Sequence, residues 1–342
     1  MESRYPFPAF PDGWYCVSWS DDLAAGDVQA RTLFGQEVVL FRTESGEAVL
    51  MGAYCPHLGA HLGHGGTVEG ETLRCPFHGF EFDRTGECTK TAYGSPPPRN
   101  CKTKIWPVRE HDGVVLAWHA GEGAEPWFEV PRWDDAPFGR VHGHTWMELA
   151  SHPQETTENS VDFGHFAVVH GYSDTDTLKP LKLDGPYLTA QYQLGRTNPF
   201  LGRFGPKLKA SFEVHVWGLG YSLVEVEVPA MGMRLRHYVL PTPTDGTNIE
   251  LRVGVAIHRL ESANKILPGL GLLPEAFLRE LIGRTTIKEY ASDVHDDFDV
   301  WKNKVYVHPP LLAQGDGPIT KYRRWCRQFY PELRKPRKDK AS

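Results

Sequence analysis

The sequence predicts an α+β protein of two domains. An all-β domain is expected over residues 1–125, and a second domain that combines an antiparallel sheet with helices over residues 126–342. Three observations predict this architecture. Short apolar runs separated by turn residues fill the first third of the chain. Alternating apolar and polar residues recur between 183 and 260, and a helical apolar period follows from 262 to 304.

Turn residues divide the first third of the chain into short strands. Residues 38–42 and 48–51 flank a glycine-bearing turn at 43–47, and the strand at 114–118 follows a second turn of the same kind. This pattern is typical of antiparallel hairpins. Small and polar residues occupy positions 120–126, where we expect the boundary between the two domains.

The second domain begins with a predicted helix at residues 154–170. Ser151 is the expected N-cap, Pro153 suits an early helical position, and Gly171 supplies the stop. Alternation then predicts strands at 211–217, 222–228, 234–240 and 249–257. The later helix carries apolar residues at i, i+3 and i+4 spacing, namely Ile287, Tyr290, Ala291, Val294, Phe298 and Trp301.

The composition argues against several classes of protein. A formal net charge of −6 disfavours a nucleic-acid-binding protein, because affinity for a phosphate backbone requires clustered Lys and Arg. No apolar run is long enough for a membrane span, and no signal peptide is visible, so we expect a cytoplasmic protein. In a reducing compartment, Cys16, Cys88, Cys101 and Cys326 are predicted to be free thiols.

Two Cys/His pairs form the first candidate metal site. Cys55 and His57 make one pair, Cys75 and His78 make the other, and each pair lies on a loop between predicted strands. Two thiolates can hold one iron of a [2Fe–2S] cluster while two neutral imidazoles hold the other, which raises the reduction potential of the cluster. A structural zinc site is the alternative, because zinc also accepts two Cys and two His.

The residues around these pairs resemble the Rieske domain of ring-hydroxylating oxygenases, over the runs 55–63 and 75–80. The spacing C-x-H followed by C-x-x-H favours the cluster over zinc, whose sites use longer spacers. His61 and His64 lie close to the first pair and are the alternatives to His57 as ligands. The tight C-x-H pairing favours His57, so we interpret both as bystanders. Phe80 stands where the family often has Trp, and both residues are apolar covers.

A second candidate metal site lies downstream, in the pattern formed by Asp162, His165 and His170. On a helix, Glu158, Asp162 and His165 share a face, whereas His170 points about 140° away from His165. Both imidazoles can therefore bind one metal only if the helix ends or distorts between them, which Gly171 permits. Two His and one carboxylate on one face of Fe(II) leave coordination positions for O₂.

The third ligand must come from farther along the chain, where Asp293, Asp296, Asp297 and Asp299 all qualify chemically. Rieske oxygenases place this ligand in the pattern D-x-x-(Ile/Val)-Trp, which is matched by the run from Asp297 to Trp301. Asp297 also shares the apolar helix face, so it is the expected ligand, and the other three remain alternatives.

The resemblance extends over nearly the whole chain. It implies a C-terminal helix-grip domain whose curved sheet encloses a hydrophobic substrate cavity, with a Rieske [2Fe–2S] cluster and a mononuclear Fe(II) as cofactors and O₂ as co-substrate. It also implies a head-to-tail homotrimer, in which Asp162 bridges to His57 or His78 of a neighbouring subunit. Asn159 is then expected to support the iron site.

The expected redox partners are separate proteins. No G-x-G-x-x-G motif opens a helix after a strand, and no flavin or NAD motif is present. Electrons are therefore expected from a ferredoxin and a ferredoxin reductase, or from a single ferredoxin-type reductase.

The substrate expectation also comes from resemblance. The sequence around the first Cys/His pair and the run from Asp297 to Lys304 are most similar to Rieske sterol (cholesterol 7-) desaturases and 3-ketosteroid 9α-hydroxylases. We expect hydroxylation or desaturation of a hydrophobic polycyclic substrate such as a steroid or sterol. An aromatic-ring dioxygenase or an O- or N-demethylase of the same family is the alternative. A non-catalytic Rieske electron carrier is the alternative from another class.

Overall fold

The computed structural model describes residues 4–133, 136–196, 208–260, 263–266 and 269–334. Its N-terminal part consists of short strands connected by turns and loops. The strands are β1 Gly13–Trp19, β2 Val28–Leu33, β3 Gln36–Arg42, β4 Ala48–Gly52, β5 Thr67–Glu69, β6 Thr72–Arg74, β7 Glu81–Phe82, β8 Cys88–Lys90, β9 Ile105–Trp106, β10 Val108–His111 and β11 Val114–His119.

The C-terminal part combines long strands with helices. Its strands are β12 His142–Leu149, β13 Ser173–Asp184, β14 Tyr187–Arg196, β15 Leu208–Trp217, β16 Tyr221–Val228, β17 Met233–Pro243 and β18 Ile249–Ile257. Its helices are α1 Pro153–Glu158, α2 His165–Val168, α3 Ala263–Ile266, α4 Glu275–His295, α5 Phe298–Asn303, α6 Ile319–Cys326 and α7 Pro331–Arg334. The α+β fold class predicted from the sequence is confirmed.

Three small antiparallel sheets build the N-terminal domain, with strand orders β1-β11-β10, β2-β3-β4-β9 and β5-β6-β7-β8. The loop that carries Cys55 and His57 follows β4, and the loop that carries Cys75 and His78 connects β6 to β7. Leu62, which is fully buried, packs with both cysteines in one hydrophobic cluster beneath these loops. The small sheets therefore bring the two Cys/His pairs together from different parts of the chain.

A seven-stranded antiparallel sheet forms the frame of the C-terminal domain, in the order β12-β18-β17-β16-β15-β14-β13. The long helix α4 packs against β18 and β12 at one side of this sheet. Leu278, Ile282 and Val294 of α4 lie in the same buried cluster as Leu251 and Val253 of β18. This packing follows from the predicted apolar face, and it fixes the end of α4 close to the sheet.

Two helix predictions are wrong in detail. The helix expected at 154–170 is divided into α1 and α2 by an irregular segment, and its N-cap is His152 rather than Ser151. The imidazole Nδ1 of His152 accepts a hydrogen bond from the amide of Gln154 at 3.0 Å, which satisfies one of the free amides of the first turn. The helical stretch expected at 262–304 is divided as well, with a break between α4 and α5 at Asp297.

The two domains share a core. Trp14 and Trp118, from β1 and β11, belong to the same buried cluster as Trp217 and Tyr221 of the large sheet. The predicted boundary near residue 125 lies between β11 and β12 and stays a prediction. Within the described residues, no helix has both the length and the hydrophobicity that a membrane crossing requires. None of the six cysteines forms a disulfide, so the four predicted free thiols are confirmed.

Candidate metal centres

The two Cys/His loops of the N-terminal domain have the same backbone conformation. In the first loop, the amide of Cys55 donates to the carbonyl of Ala60 at 2.8 Å, and the amide of Gly59 donates to the carbonyl of Cys55 at 2.9 Å. The loop that begins at Cys75 repeats both hydrogen bonds at the equivalent positions, at 2.8 Å and 3.1 Å. Each loop therefore presents a buried Cys and a His from a turn that is closed by main-chain hydrogen bonds.

The four side chains of this site converge. Cys55 and Cys75 are buried and in contact, and the ring centroids of His57 and His78 lie 4.7 Å apart. Burial, together with the neighbouring Cys75, raises the pKa of the Cys55 thiol to about 12. Two adjacent buried thiols can lose their protons together only if cations lie beside them, which is the effect of iron in a cluster.

The two imidazoles provide the test of fit for the cluster. The Nδ1 atoms of His57 and His78 are buried, and neither has a hydrogen-bond partner among the described residues. Buried polar nitrogens without partners are rare in native proteins and require an explanation. Two such nitrogens beside two buried thiols are the donor set of a Rieske [2Fe–2S] cluster, so the residues fit this group.

Other side chains around the loops cover the site. The Phe80 ring stacks on His57, with centroids 4.3 Å apart and planes at 7°. His61 accepts a hydrogen bond at Nδ1 from the amide of Gly63 at 3.0 Å, and its ring lies against His64. These contacts agree with our interpretation of Phe80 as a cover and of both extra histidines as bystanders.

The second candidate site is built where three helices end or begin. His165 is the first residue of α2, and His170 follows the end of that helix, just before Gly171, whose φ is +65°. Asp297 lies at the break between α4 and α5. Helix α2 ends at Val168, so the helix ends between the two histidines, as the H-x-x-x-x-H spacing requires. A second break, between α1 and α2, lies before His165.

His165, His170 and Asp297 come together as a potential metal-binding group, with ligand atoms all within 4.8 Å of one another. The Nε2 atom of His170 lies 3.5 Å from the carboxylate of Asp297, and the two imidazole centroids are 5.2 Å apart. The Nδ1–H of His165 donates to the main-chain carbonyl of Asp162. This hydrogen bond fixes the tautomer that leaves Nε2 with a lone pair for a metal.

The electrostatics of this group suit a divalent cation. Burial raises the pKa of Asp297 to about 7, and a hydrogen bond with the side chain of Asn159 acts in the opposite direction. Burial and the nearby His170 lower the pKa of His165 to about 4, so this imidazole is neutral at physiological pH. Burial disfavours the charged form of the Asp297 carboxylate, and a ferrous ion beside it would supply compensating positive charge. The residues therefore fit mononuclear Fe(II).

The other predicted carboxylates are placed differently. Asp296 and Asp299 are exposed, and Asp293 accepts a hydrogen bond from the Tyr172 hydroxyl at 3.1 Å. Asp162 is partly buried, and its carboxylate lies 3.9 Å from Nδ1 of His165, outside the group of three potential ligands. Burial, followed by the charge of Glu158, raises the pKa of Asp162.

A cavity opens directly beside the three potential ligands, with an empty volume of about 880 Å³. His165, His170 and Asp297 form part of its lining. Most of its other lining side chains are apolar or aromatic and include Phe166, Tyr192, Leu194, Phe212, Val214, Val224, Val239, Tyr290, Val294 and Trp301. Alternation in the sequence predicts that each strand has two faces, but it does not show which strand residues line a cavity.

Two protein-family descriptions match the chain. The Rieske [2Fe-2S] domain matches residues 13–107, and the 3-ketosteroid 9alpha-hydroxylase C-terminal domain matches residues 117–330. A cholesterol 7-desaturase of Hemicentrotus pulcherrimus is 32% identical over 95% of this chain and 71% of its own length. The oxygenase component of a 3-ketosteroid-9-alpha-monooxygenase of Rhodococcus rhodochrous is 26% identical, over 95% of this chain and 85% of its own length.

Solved structures share the fold over most of both chains. Dicamba monooxygenase bound to dicamba has a TM-score of 0.64 at 17% identity, covering 93% of this chain and 96% of that one. NdmA of Pseudomonas putida CBB5 with caffeine has a TM-score of 0.69 at 19% identity, covering 92% of this chain and 89% of that one. The matches and the two donor sets lead to one conclusion. The chain belongs to the Rieske non-haem iron oxygenases, in the family defined by the 3-ketosteroid 9α-hydroxylase C-terminal domain.

Proposed function

We propose that this oxygenase component hydroxylates or desaturates a steroid or sterol, using O₂ and electrons delivered by a ferredoxin and its reductase or by a single ferredoxin-type reductase. The observation that carries the proposal is the apolar cavity that opens onto His165, His170 and Asp297. A concave site with mostly apolar walls and a few polar groups is typical of pockets for hydrophobic small molecules. The similar proteins named above are cholesterol 7-desaturases and a 3-ketosteroid monooxygenase component, which supports the same substrate class.

The proposed cofactor ligands divide into two sets. Cys55, His57, Cys75 and His78 are proposed to hold the [2Fe–2S] cluster, and His165, His170 and Asp297 to hold Fe(II). When bound, the cluster supplies single electrons and the ferrous ion binds and activates O₂. Three protein ligands from His165, His170 and Asp297 would leave coordination positions free for O₂.

The protein's own residues have three tasks around the mononuclear site. The carbonyl of Asp162 orients His165, and the Asn159 side chain orients Asp297 through its hydrogen bond. Trp301 and the other apolar side chains of the cavity exclude water and hold a hydrophobic substrate by burial of its surface. The substrate is thereby positioned with one C–H bond facing the metal.

We further propose that the active form is a head-to-tail homotrimer in which electrons pass between subunits. Large apolar side chains are exposed beside both candidate metal centres. Leu58 and Phe77, on the Rieske loops, are 64% and 63% exposed, and Val168, in α2, is 85% exposed. Exposed apolar side chains beside each centre support an interface that joins the two sites of neighbouring chains. Asp162, beside His165, is the proposed bridge to a Rieske histidine of the neighbour.

A complementation experiment tests this arrangement. A Cys75→Ser chain cannot hold a normal cluster, and an Asp297→Ala chain lacks one ligand of the mononuclear site. Co-expressed chains with different tags, purified through both tags, are expected to regain a substantial part of the activity that each variant alone lacks. Electron transfer within single chains predicts no recovery, and sedimentation of the parent protein as a monomer also contradicts the proposal.

The substrate class is tested by turnover of a panel with a surrogate ferredoxin and reductase, with products identified by mass spectrometry. The panel contains sterols, 3-ketosteroids and small aromatic ethers. We expect oxygen- and iron-dependent products from the steroid group alone, and their masses separate hydroxylation from desaturation. Conversion of the small aromatic ethers alone indicates the demethylase alternative and contradicts the steroid proposal.

A further inference from the structure

Two polar side chains interrupt the apolar wall that β16 and β17 contribute to the cavity. These strands place four side chains on the lining, of which Val224 and Val239 are apolar and Ser222 and His237 are polar. Ser222 is 4% exposed, and its Oγ has no hydrogen-bond partner among the described residues. A buried hydroxyl without a partner is destabilising, so native proteins retain such groups where another molecule or a water completes the hydrogen bond.

The hydroxyl of Ser222 differs in this respect from other hydroxyls on the cavity lining. Thr157 donates to the carbonyl of Leu219 at 3.1 Å, and Tyr192 donates to the carbonyl of Ser160 at 3.4 Å. Thr156 and Tyr172 also donate to protein oxygens. These groups are satisfied by the protein itself, whereas Ser222 faces the cavity with both its donor and its acceptor capacity available.

His237 lies next to Ser222 on the same wall. Ser222 pairs with Val239 across the two strands, and Val224 pairs with His237, so that Ser222 and His237 are diagonal neighbours. Diagonal neighbours on adjacent antiparallel strands are about 7–8 Å apart, measured between their main chains. Both side chains can therefore reach an atom that lies between them. His237 is 5% exposed, and its ring stacks on Tyr290 of α4 at 4.0 Å, which holds it in place.

We propose that Ser222 and His237 form a recognition site for an oxygen substituent, a hydroxyl or a carbonyl group, on the otherwise apolar substrate. The inference rests on the proposed steroid or sterol substrate class. It adds which functional group of the substrate the protein recognises. A serine hydroxyl can donate to a ketone and can donate to or accept from an alcohol, so both substituents fit. The oxygen substituent fixes the orientation of the ring system, and thereby decides which carbon lies at the metal.

Binding of three probes with one carbon skeleton tests the proposal. The probes are cholesterol, 4-cholesten-3-one and cholest-5-ene, which carry a hydroxyl, a ketone and no oxygen. Dissociation constants are measured by calorimetry on the iron-loaded protein without O₂, so that no turnover occurs. We expect the parent protein to bind at least one oxygenated probe about tenfold more tightly than cholest-5-ene, as for one hydrogen bond to a buried group.

Three variants identify the source of this preference. Ser222→Ala is expected to lose most of the preference for oxygenated probes over cholest-5-ene. His237→Phe retains a ring to stack on Tyr290 and is expected to reduce the same preference. Val224→Ala, a matched control on the same wall, is expected to weaken all three probes alike and to keep the preference. Thermal unfolding of each variant shows that it is folded, and either polar variant alone is sufficient for the comparison.

The failures of the two proposals are distinguishable. Equal binding of all three probes by the parent protein, or an unchanged preference in the folded polar variants, overturns the recognition site while the steroid substrate class stands. Absence of binding of any probe to the parent protein overturns the substrate class, and the recognition site with it.

Discussion

At the scale of single residues, each candidate metal centre combines ligands with groups that orient them. The hydrogen bond from His165 to the Asp162 carbonyl and the contact of Asn159 with Asp297 are of this second kind. Such partners determine which nitrogen or oxygen faces the metal, and their removal commonly lowers activity or metal affinity. The residue predictions therefore separate ligands from orienting groups.

The first prediction separates the mononuclear ligands from the cluster. His165→Ala, His170→Ala and Asp297→Ala should each abolish product formation, because each removes one of three donor atoms, while the Rieske EPR signal of the reduced protein remains. Asp293→Ala is the matched control, since this carboxylate contacts Tyr172 and not the ligand group. An active Asp297→Ala protein together with an inactive Asp293→Ala protein contradicts the assignment.

The second prediction concerns Asp162, whose main chain and side chain have different proposed roles. Asp162→Asn keeps the carbonyl that orients His165, so iron content and the Rieske spectrum should remain normal. Loss of the carboxylate should slow electron delivery about 10- to 100-fold, as for other groups that support a metal centre. In a single-turnover experiment with substrate and O₂, the pre-reduced cluster of the variant should still be reduced at the time when the parent's cluster has been oxidised. Oxidation of the cluster at the parent's rate refutes the bridging role.

At the scale of secondary-structure elements, a buried charge network connects α1 to the C-terminal helices. Lys304, which follows α5, lies 2.8 Å from the Glu155 carboxylate and 3.6 Å from that of Glu158. Arg323 of α6 also binds Glu158, at 2.6 Å. Both glutamates are buried, and loss of Lys304 would leave Glu155 without a cation, whereas Glu158 would keep Arg323. The network holds the segment that carries Asn159, Asp162 and His165 against α5 and α6.

The third prediction follows from this network. Lys304→Met should lower the free energy of unfolding by about 3–5 kcal/mol, the usual effect of removing one partner of a buried ion pair. Lys102→Met is the matched control, because Lys102 pairs with Glu87 at the surface and should change the free energy by less than about 1 kcal/mol. Urea unfolding of both variants measures the difference, and equal losses contradict the prediction.

The pH dependence of the Lys304→Met variant gives a second measurement. Burial raises the pKa of Glu155, and Lys304 opposes this effect in the parent protein. Without Lys304, the folded variant binds a proton at Glu155 more tightly than the unfolded chain does. Its free energy of unfolding should therefore fall as the pH rises above the ordinary glutamate range, and should recover towards lower pH.

Element by element, the sequence predicted regular structure better than breaks. The strand Ile249–Ile257 has the predicted bounds, because alternation and turn residues act locally. The division of the first helical segment was missed, since residues 159–164 have no Pro or Gly before Gly164 to mark a break. The division at Asp297 was also missed. In both places tertiary packing overrides local helical preference.

The candidate sites show the same contrast. The Cys/His pairs were predictable because each pair is adjacent in sequence and its spacing is specific to one kind of cluster. The choice of Asp297 among four aspartates depended on a family pattern, and burial in the folded protein distinguishes it physically. Ser222 and His237 were not predicted, because strand periodicity shows that two faces exist but not what each face encloses.

At the scale of the whole molecule, the two regions of the chain that match the family descriptions share one hydrophobic core. Arg252 of the large sheet donates to the carbonyls of Cys16 and Val17 in β1, at 2.9 Å and 3.1 Å. Thr242 donates to the same Cys16 carbonyl at 2.7 Å. Strand β1 therefore belongs structurally to both domains, and neither domain can separate without exposing buried tryptophans.

The fourth prediction is that the metal-loaded chain unfolds in one cooperative transition. Calorimetry should give a single peak, because the shared core couples the two domains. The loss of visible cluster absorption should coincide with the loss of far-UV circular dichroism. Two resolved transitions, with the cluster domain unfolding separately, contradict the coupling.

The positions of the mononuclear ligands along the chain affect the free energy of folding. Two ligands lie around α2 and the third at the break between α4 and α5, with most of the large sheet between them in sequence. An ion bound there closes a long loop and acts as a reversible cross-link, so part of its binding free energy becomes folding free energy. At a free ion concentration one hundred times its dissociation constant, this amounts to about 2.7 kcal/mol. The free energy of unfolding of the enzyme is thereby expected to depend on the concentration of free ferrous iron, even when no substrate is present.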